Sequence, residues 1–167
     1  ESFLINSVSA EPDVAAWAAL LSQGAIGRAL GFLPDGAEKG PLEALRRKAY
    51  ALVDAALTKG QGAGYSAALS YSPAGARKLT DLFAFVEEWL RDIGAVACGA
   101  GDAVFNQDAR ARLEEIVSRS GIAPSDLALA ISAVEEARVL AHGNVNPQLV
   151  ISGLIRSIQR RVRHQRL

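Results

Sequence analysis

Metal and disulfide chemistry have few candidate residues in this chain, which holds one cysteine, Cys98, and two histidines, His142 and His164. A single cysteine excludes a disulfide within the chain. A structural zinc ion takes four cysteine or histidine ligands, so we expect neither a zinc site nor any other bound cofactor. Because no disulfide has to form, we expect a reducing compartment, which indicates the cytoplasm.

The sequence also lacks an excess of charge and a long apolar run. Lysine and arginine number 18, aspartate and glutamate also number 18, and the formal net charge is zero. Nucleic-acid or membrane binding therefore has no signature in the total charge, and any basic region must be local. No apolar run approaches the roughly 20 residues that span a bilayer. Because the first residue is Glu1 and not methionine, we expect a fragment or a processed chain.

Aromatic residues are scarce at 6% of the chain, whereas hydrophobic residues as a class make up 50%. Alanine and leucine are abundant, β-branched runs are short, and glycine and proline recur at intervals. Alanine and leucine favour helices, and glycine and proline commonly mark helix ends. The composition therefore predicts an all-α fold with a sizeable core.

The first third of the chain is predicted to contain two short helices and one longer helix. Residues 1–10 alternate briefly but have no partner strand, so we interpret them as a leader or remnant. Pro12 is typical of a helix start. The longer helix, over about 41–58, is amphipathic, and its outward face is predicted to carry Glu43, Arg46, Arg47 and Lys48.

The best apolar stripe lies between Ser72 and about Cys98, and it predicts the central core helix. Cys98, at the end of this helix, is expected to be a small buried hydrophobe. The stripe recurs at helical spacing and consists of Leu79, Leu82, Phe83, Val86, Trp89, Leu90, Ile93 and Val96.

Three further helices are predicted from their end signals. Asn106 is expected to cap a helix that Gly121 ends, and another helix runs over 124–141. Gly143 is expected to close that helix in a left-handed conformation, and Asn146 to cap a final helix beginning at Pro147. The apolar face of this final helix consists of Ile151, Leu154, Ile155, Ile158 and Val162.

Three segments, taken in order, resemble the bacterial clamp-loader subunits of DNA polymerase III, and among them the delta prime type. They are GAIGRAL at 24–30, FAFVEEWLRDIGA at 83–95 and VEEARVLAHGNVNPQLVISGLI at 134–155. The resemblance implies that residues 1–36 are the end of an AAA+ lid subdomain and that residues 37–167 are a helical collar domain.

The resemblance also implies a function in DNA replication. A collar of this kind would assemble with the gamma/tau and delta subunits, in a loader that places the sliding clamp on primed DNA. The fourth position of GAIGRAL is an arginine in the ATP-hydrolysing subunits, but here it is Gly27. Arg28 is one place later, about 100° further round a helix, so we do not expect it to replace the missing sensor. The resemblance therefore implies a part that is not an enzyme.

The basic end of the chain has two interpretations. Arg156, Arg160, Arg161 and Arg163 would suit phosphate contacts, or they form a solvated face or the rim of a partner contact. No aromatic residues alternate with them to stack on bases, which favours the second interpretation.

Other classes of function stay open at this point. A gamma/tau-type collar is the alternative, because the choice of the delta prime type rests chiefly on Gly27 and on the NVNP joint at 144–147. A helical nucleic-acid regulator would need a base-reading helix, but the helix after Gly143 is aliphatic. A helical enzyme would need a pocket gathering His142 with acidic side chains, whereas His142 is better placed to contact the carbonyls that end a helix.

Overall fold

A computed structural model of the chain describes residues 1–36, 38–58, 62, 66–68, 76–143 and 145–163. Within these residues the regular structure is helical, apart from an isolated antiparallel bridge between Asp35 and Glu38. The predicted all-α class is confirmed. None of the helices in these ranges has the length and hydropathy needed to cross a bilayer.

Most successive helices are joined by short connections, but residues 59–75 separate the fourth helix from the fifth. Two 3-10 turns, Gly101–Ala103 and Gln107–Ala109, lie between the fifth and sixth of them. The α-helices are α1 Ser2–Val8, α2 Pro12–Ser22, α3 Ile26–Phe32, α4 Pro41–Thr58, α5 Ala76–Ala97, α6 Arg110–Ser120, α7 Pro124–Ala141 and α8 Pro147–Arg163.

Contacts divide the chain into two compact units, Glu1–Arg47 and Lys48–Leu167. The division falls within α4, whereas the sequence places the domain boundary at residue 36. Assignment of the two parts to a lid and a collar stays a prediction.

The first unit corrects the interpretation of residues 1–10. They form α1, and Leu4 is buried at 2% exposure, so this stretch packs as part of the unit. Helix α2 begins at Pro12 as predicted and ends where Gln23 adopts a left-handed conformation. A second left-handed residue, Gly24, follows with φ +85°, and the chain reverses into α3.

Helix α4 has the predicted bounds, but two of its residues are not where the sequence placed them. Glu43 and Arg46 were expected to face outward, yet they are 4% and 3% exposed. Arg46 Nη1 donates to Glu43 Oε2 over 3.0 Å, and Arg47 also donates to Glu43. A paired acid and base satisfy each other inside the protein, which the apolar pattern of the helix alone does not reveal.

The second unit is built around α5. All of its predicted core stripe is buried except Val96, which is half-buried. Trp89 meets Tyr50 of α4 edge to face, with ring centroids 5.1 Å apart. Desolvation, reinforced by Asp54, raises the pKa of the Tyr50 hydroxyl. Cys98 was expected to be buried but is exposed, because α5 ends at Ala97 and the chain turns at Gly99 with φ +76°.

The connection between α5 and α6 is held by a buried carboxylate. Asp92, 1% exposed, accepts hydrogen bonds from the backbone N–H groups of Phe105 and Asn106 and from Asn106 Nδ2. Asn106 therefore does not cap a helix with its side chain, as the sequence predicted, but bonds across to α5. Gly121 ends α6 in a left-handed conformation, as expected.

Helix α7 packs against both α5 and α8. Arg138 links α7 to α5, because its Nη2 donates to Glu87 Oε2 over 2.8 Å and its Nη1 to Glu135 on its own helix. Helix α8 buries the whole predicted aliphatic face, and Gln159 Nε2 donates to the Ala55 carbonyl of α4 over 3.4 Å. The last two helices are therefore anchored to the rest of this unit.

Candidate functional site

The connection between α7 and α8 is closed by local hydrogen bonds. The end of α7 changes to bonds that reach three residues back in place of four. His142 N–H donates to the Val139 carbonyl, and Gly143 N–H donates to the Leu140 carbonyl over 3.1 Å. His142 is right-handed and Gly143 has no positive φ, so the prediction of a left-handed Gly143 is wrong. Bonds to the carbonyl three residues back satisfy this helix end without a left-handed residue.

Two of the predicted roles in this connection are confirmed. Asn146 Oδ1 accepts the Gln148 backbone N–H over 2.9 Å, which caps α8 immediately before Pro147. His142 Nδ1 lies 2.8 Å from the Arg138 carbonyl oxygen, within hydrogen-bonding distance of a carbonyl near the end of α7. Asn144, the first asparagine of the NVNP joint, lies outside the described residues.

Large aliphatic side chains are exposed around this connection. The exposed fractions are 73% for Val139, 54% for Leu140, 44% for Val145 and 63% for Leu149. The Cβ position of Gly143 lies 3.6 Å from Val145 Cγ2, so Val145 folds back against the turn. We call these four residues the joint surface. A concentration of exposed aliphatic groups in so short a segment is typical of an interaction site.

The structure separates the four arginines that the sequence grouped together. The guanidinium of Arg161 is bonded to other residues of the chain. Its Nη2 lies 2.7 Å from both carboxylate oxygens of Glu136, and its Nη1 donates to the Leu129 carbonyl. Arg156 and Arg160 are exposed, and within the described residues neither has a hydrogen bond or ion pair. The side chain of Arg163 lies outside those residues.

Replacement of Arg161 by alanine is expected to lower the free energy of unfolding by about 1 kcal/mol, because a partly exposed ion pair and a carbonyl bond are lost. Thermal unfolding followed by circular dichroism measures this change. Arg160→Ala is the matched control, since it removes an exposed arginine from the same helix turn. Equal melting temperatures for the two variants would show that the Glu136 pair does not stabilise the fold.

A groove of about 550 Å³ runs beside the exposed part of α8. Leu149 and Ile155 supply its apolar lining, and Arg156 supplies its charge. Gly153, also in its wall, has open space where a side chain would begin, with nothing within 4 Å of its Cβ position.

The GAIGRAL motif lies at the turn from α2 into α3. Gly27 is exposed, and nothing lies within 4 Å of its Cβ position. Arg28 is half-buried, with its guanidinium carbon 6.0 Å from the centre of the Phe32 ring one turn later. The arginine of this motif therefore packs on an aromatic side chain of its own helix.

Phe32 belongs to a larger stack in the first unit that the sequence did not indicate. Its ring meets Trp17 edge to face, with centroids 5.7 Å apart, and Arg46 lies 5.9 Å from the Trp17 ring centre. Glu43 completes the stack through its bond to Arg46. These contacts join residues far apart in the chain, so no local pattern could have identified them.

Titratable side chains do not gather into a metal site within the described ranges, where no group of three or more His, Cys, Asp or Glu has metal-binding geometry. His142 is exposed, at the far end of α7 from the buried Asp126. Asp126 accepts the Ala123 N–H over 3.1 Å, which helps to close the start of α7.

Comparison of the chain with models of protein families, with curated proteins and with solved structures gave no match. The resemblance to clamp-loader subunits accordingly rests on the three sequence segments.

Proposed function

We propose that this chain is the lid end and helical collar of a clamp-loader subunit of the delta prime type, with a structural role in assembly. The order of the three sequence segments supports the proposal. So does Gly27, at the position where the ATP-hydrolysing subunits carry an arginine. Under this proposal the chain functions in the cytoplasm and binds the gamma/tau and delta subunits directly. It contacts the sliding clamp and primed DNA only through those subunits. A gamma/tau-type collar is the alternative.

The observation that carries the proposal is the joint surface. Burial of exposed aliphatic groups by a partner is favourable, and the helices hold Val139, Leu140 and Leu149 in place before binding. Val139, Leu140, Val145 and Leu149 lie in the segment 134–155, which is one of the three that resemble clamp-loader subunits. Sequence resemblance and exposure therefore indicate the same part of the chain.

The test is size-exclusion chromatography with light scattering on this chain, alone and mixed with gamma/tau and delta collar fragments. The proposal expects a heteromeric complex of defined stoichiometry. A folded chain that stays alone in every mixture contradicts it. A complex that contains this chain together with both the delta and the gamma/tau collars favours the delta prime type. A complex that forms only in a mixture without the gamma/tau collar, where this chain takes its place, favours the alternative.

Leu149→Glu is expected to weaken that complex by at least tenfold, because it places a charge in an apolar contact. Leu149 is 63% exposed, so the free chain should keep its circular dichroism spectrum and melting temperature. Ile26→Glu is the matched control, since Ile26 is 54% exposed but lies in the first unit. Loss of the complex in both variants, or in neither, would exclude the joint surface as the contact.

A further inference from the structure

Helix α8 presents a stripe of exposed residues that its buried face does not explain. Leu149, Gly153, Arg156 and Arg160 are all exposed, and their spacings of four, three and four residues put them on one side of the helix. The stripe begins with an aliphatic side chain, continues through a glycine and ends with two cations. Its character therefore changes from apolar to basic along the helix.

The two cations of the stripe are not compensated by any carboxylate of the described residues. Four other arginines of this unit pair with a carboxylate, whereas Arg91 and Arg112 do not among the described residues: Arg110 pairs with Asp102 and Glu114, Arg119 with Glu115, Arg138 with Glu87, and Arg161 with Glu136. Arg156 and Arg160 have none among the residues that the structure describes. One helical turn separates them, so both would reach the same ligand.

The groove beside the stripe is lined by apolar side chains, polar side chains and one arginine. Leu149, at 63% exposure, offers aliphatic surface, and no acidic side chain lines the groove within the described residues. Ser152 Oγ donates to the Leu149 carbonyl, and Gln159 Nε2 donates to the Ala55 carbonyl. Arg156 is the charged side chain among the described lining residues, and its preferred acceptor is an anion.

We propose that the α8 groove binds a peptide segment that carries both acidic and aliphatic side chains. The acidic groups would bond Arg156 and Arg160, and an aliphatic side chain would lie against Leu149, beside Gly153. This charge complementarity identifies the occupant as acidic, and the apolar half of the groove requires that it also be aliphatic.

Nucleic acid fits the same surface less well. Arg161, the third basic residue, is already neutralised by Glu136, so only two cations face the ligand in the described part of the helix. Among the described residues, no aromatic side chain lines the groove to stack on a base. Apolar groups such as Leu149 contribute nothing to contacts with a phosphate backbone.

The test uses the whole chain and a short fluorescent peptide in which glutamates alternate with leucines, with anisotropy measured at low ionic strength. The chain should bind this peptide, and it should bind weakly, if at all, two relatives of it. In one relative serine replaces leucine, and in the other lysine replaces glutamate. Absence of binding to the first peptide, or equal binding to all three, overturns the proposal.

Variants then locate the site. The double variant Arg156→Ala, Arg160→Ala is expected to bind the peptide about tenfold more weakly, which corresponds to two exposed charge pairs. Gly153→Leu should also weaken binding because its side chain fills the groove. Arg112→Ala, an exposed arginine of α6, is the matched control and should bind normally. Unchanged affinity in the double variant overturns the assignment, since both arginines are exposed and their loss does not endanger the fold.

A single-stranded oligonucleotide of the same net charge as the peptide is the competing probe. Tighter binding of the oligonucleotide, lost in the double variant, would replace the peptide proposal with a nucleic-acid site. The proposal does not rest on a role in clamp loading. Peptide binding by the chain alone and complex formation with loader subunits are separate measurements, so either can fail without the other.

Discussion

Replacement of Asp92 by alanine is expected to lower the free energy of unfolding by about 3 to 5 kcal/mol, the largest effect of any single change proposed for this chain. The carboxylate accepts from Phe105 N–H over 3.0 Å, from Asn106 N–H over 2.9 Å and from Asn106 Nδ2 over 2.6 Å. Alanine removes the acceptor from three donors, of which the two on Asn106 are buried and the Phe105 N–H is part-buried, and each such loss costs about 1 to 3 kcal/mol. Chemical denaturation followed by tryptophan fluorescence measures the change.

The fluorescence reports the surroundings of Asp92 alone if Trp89 is the only tryptophan in the protein. Trp89 lies in α5, close to Asp92, so a Trp17→Phe background makes the fluorescence report this helix. Asp92→Asn distinguishes the effect of lost hydrogen bonds from that of lost side-chain volume, because an amide keeps the shape but has one acceptor oxygen in place of two. Asp81→Ala, at an exposed position of the same helix, should leave the midpoint unchanged. A small effect of Asp92→Ala, equal to that of Asp81→Ala, would contradict the assigned role.

Glu43→Ala is expected to destabilise the first unit by about 3 kcal/mol. Removal of one member of a buried ion pair leaves the other charge in a poorly solvated place, and such changes typically cost about 3 to 5 kcal/mol. Arg46 is only 3% exposed, and its contact with Trp17 is oriented by the bond to Glu43. We place the value at the lower end of this range because Arg46 has further interactions.

A Trp89→Phe background makes Trp17 the reporter for this change, since Trp17 lies in the same aromatic stack as Arg46. Glu43→Gln should cost less than Glu43→Ala, because the amide oxygen still accepts from Arg46. Glu38→Ala is the matched control, since Glu38 is an exposed glutamate of the same unit. If Glu43→Ala unfolds at the same denaturant concentration as Glu38→Ala, the buried pair contributes no stability.

Local signals predicted the helices well. Helices α4 and α7 begin and end at the predicted residues, and Pro12, Pro147 and Gly121 mark helix ends as expected. Proline in a first turn and a left-handed glycine after a last turn act through the backbone of their own segment. The apolar stripes of α5 and α8 were identified for the same reason, since helical spacing alone defines which residues share a face.

The candidate surfaces were predicted only in part. The sequence grouped Arg156, Arg160 and Arg161, but it could not show that Arg161 pairs with Glu136, which lies 25 residues earlier. The exposure of Leu149 and Val139 was equally hidden, because an aliphatic residue at a helix end has the same local appearance whether a neighbouring helix covers it or not.

The sequence by itself determined the helical class, the ends of most helices and the apolar faces of the longest ones, because these depend on interactions within a few residues. Only the tertiary structure decided which charged and reactive side chains are buried, exposed or paired. Glu43 and Arg46 are buried, Asp92 holds a distant connection, Cys98 is exposed and Arg161 is neutralised. The physical reason is that burial and long-range pairing arise only when separate segments pack together. Packing brings Asn106 to Asp92 and Glu136 to Arg161, and it covers Glu43 and Arg46, which compensate each other on one helix.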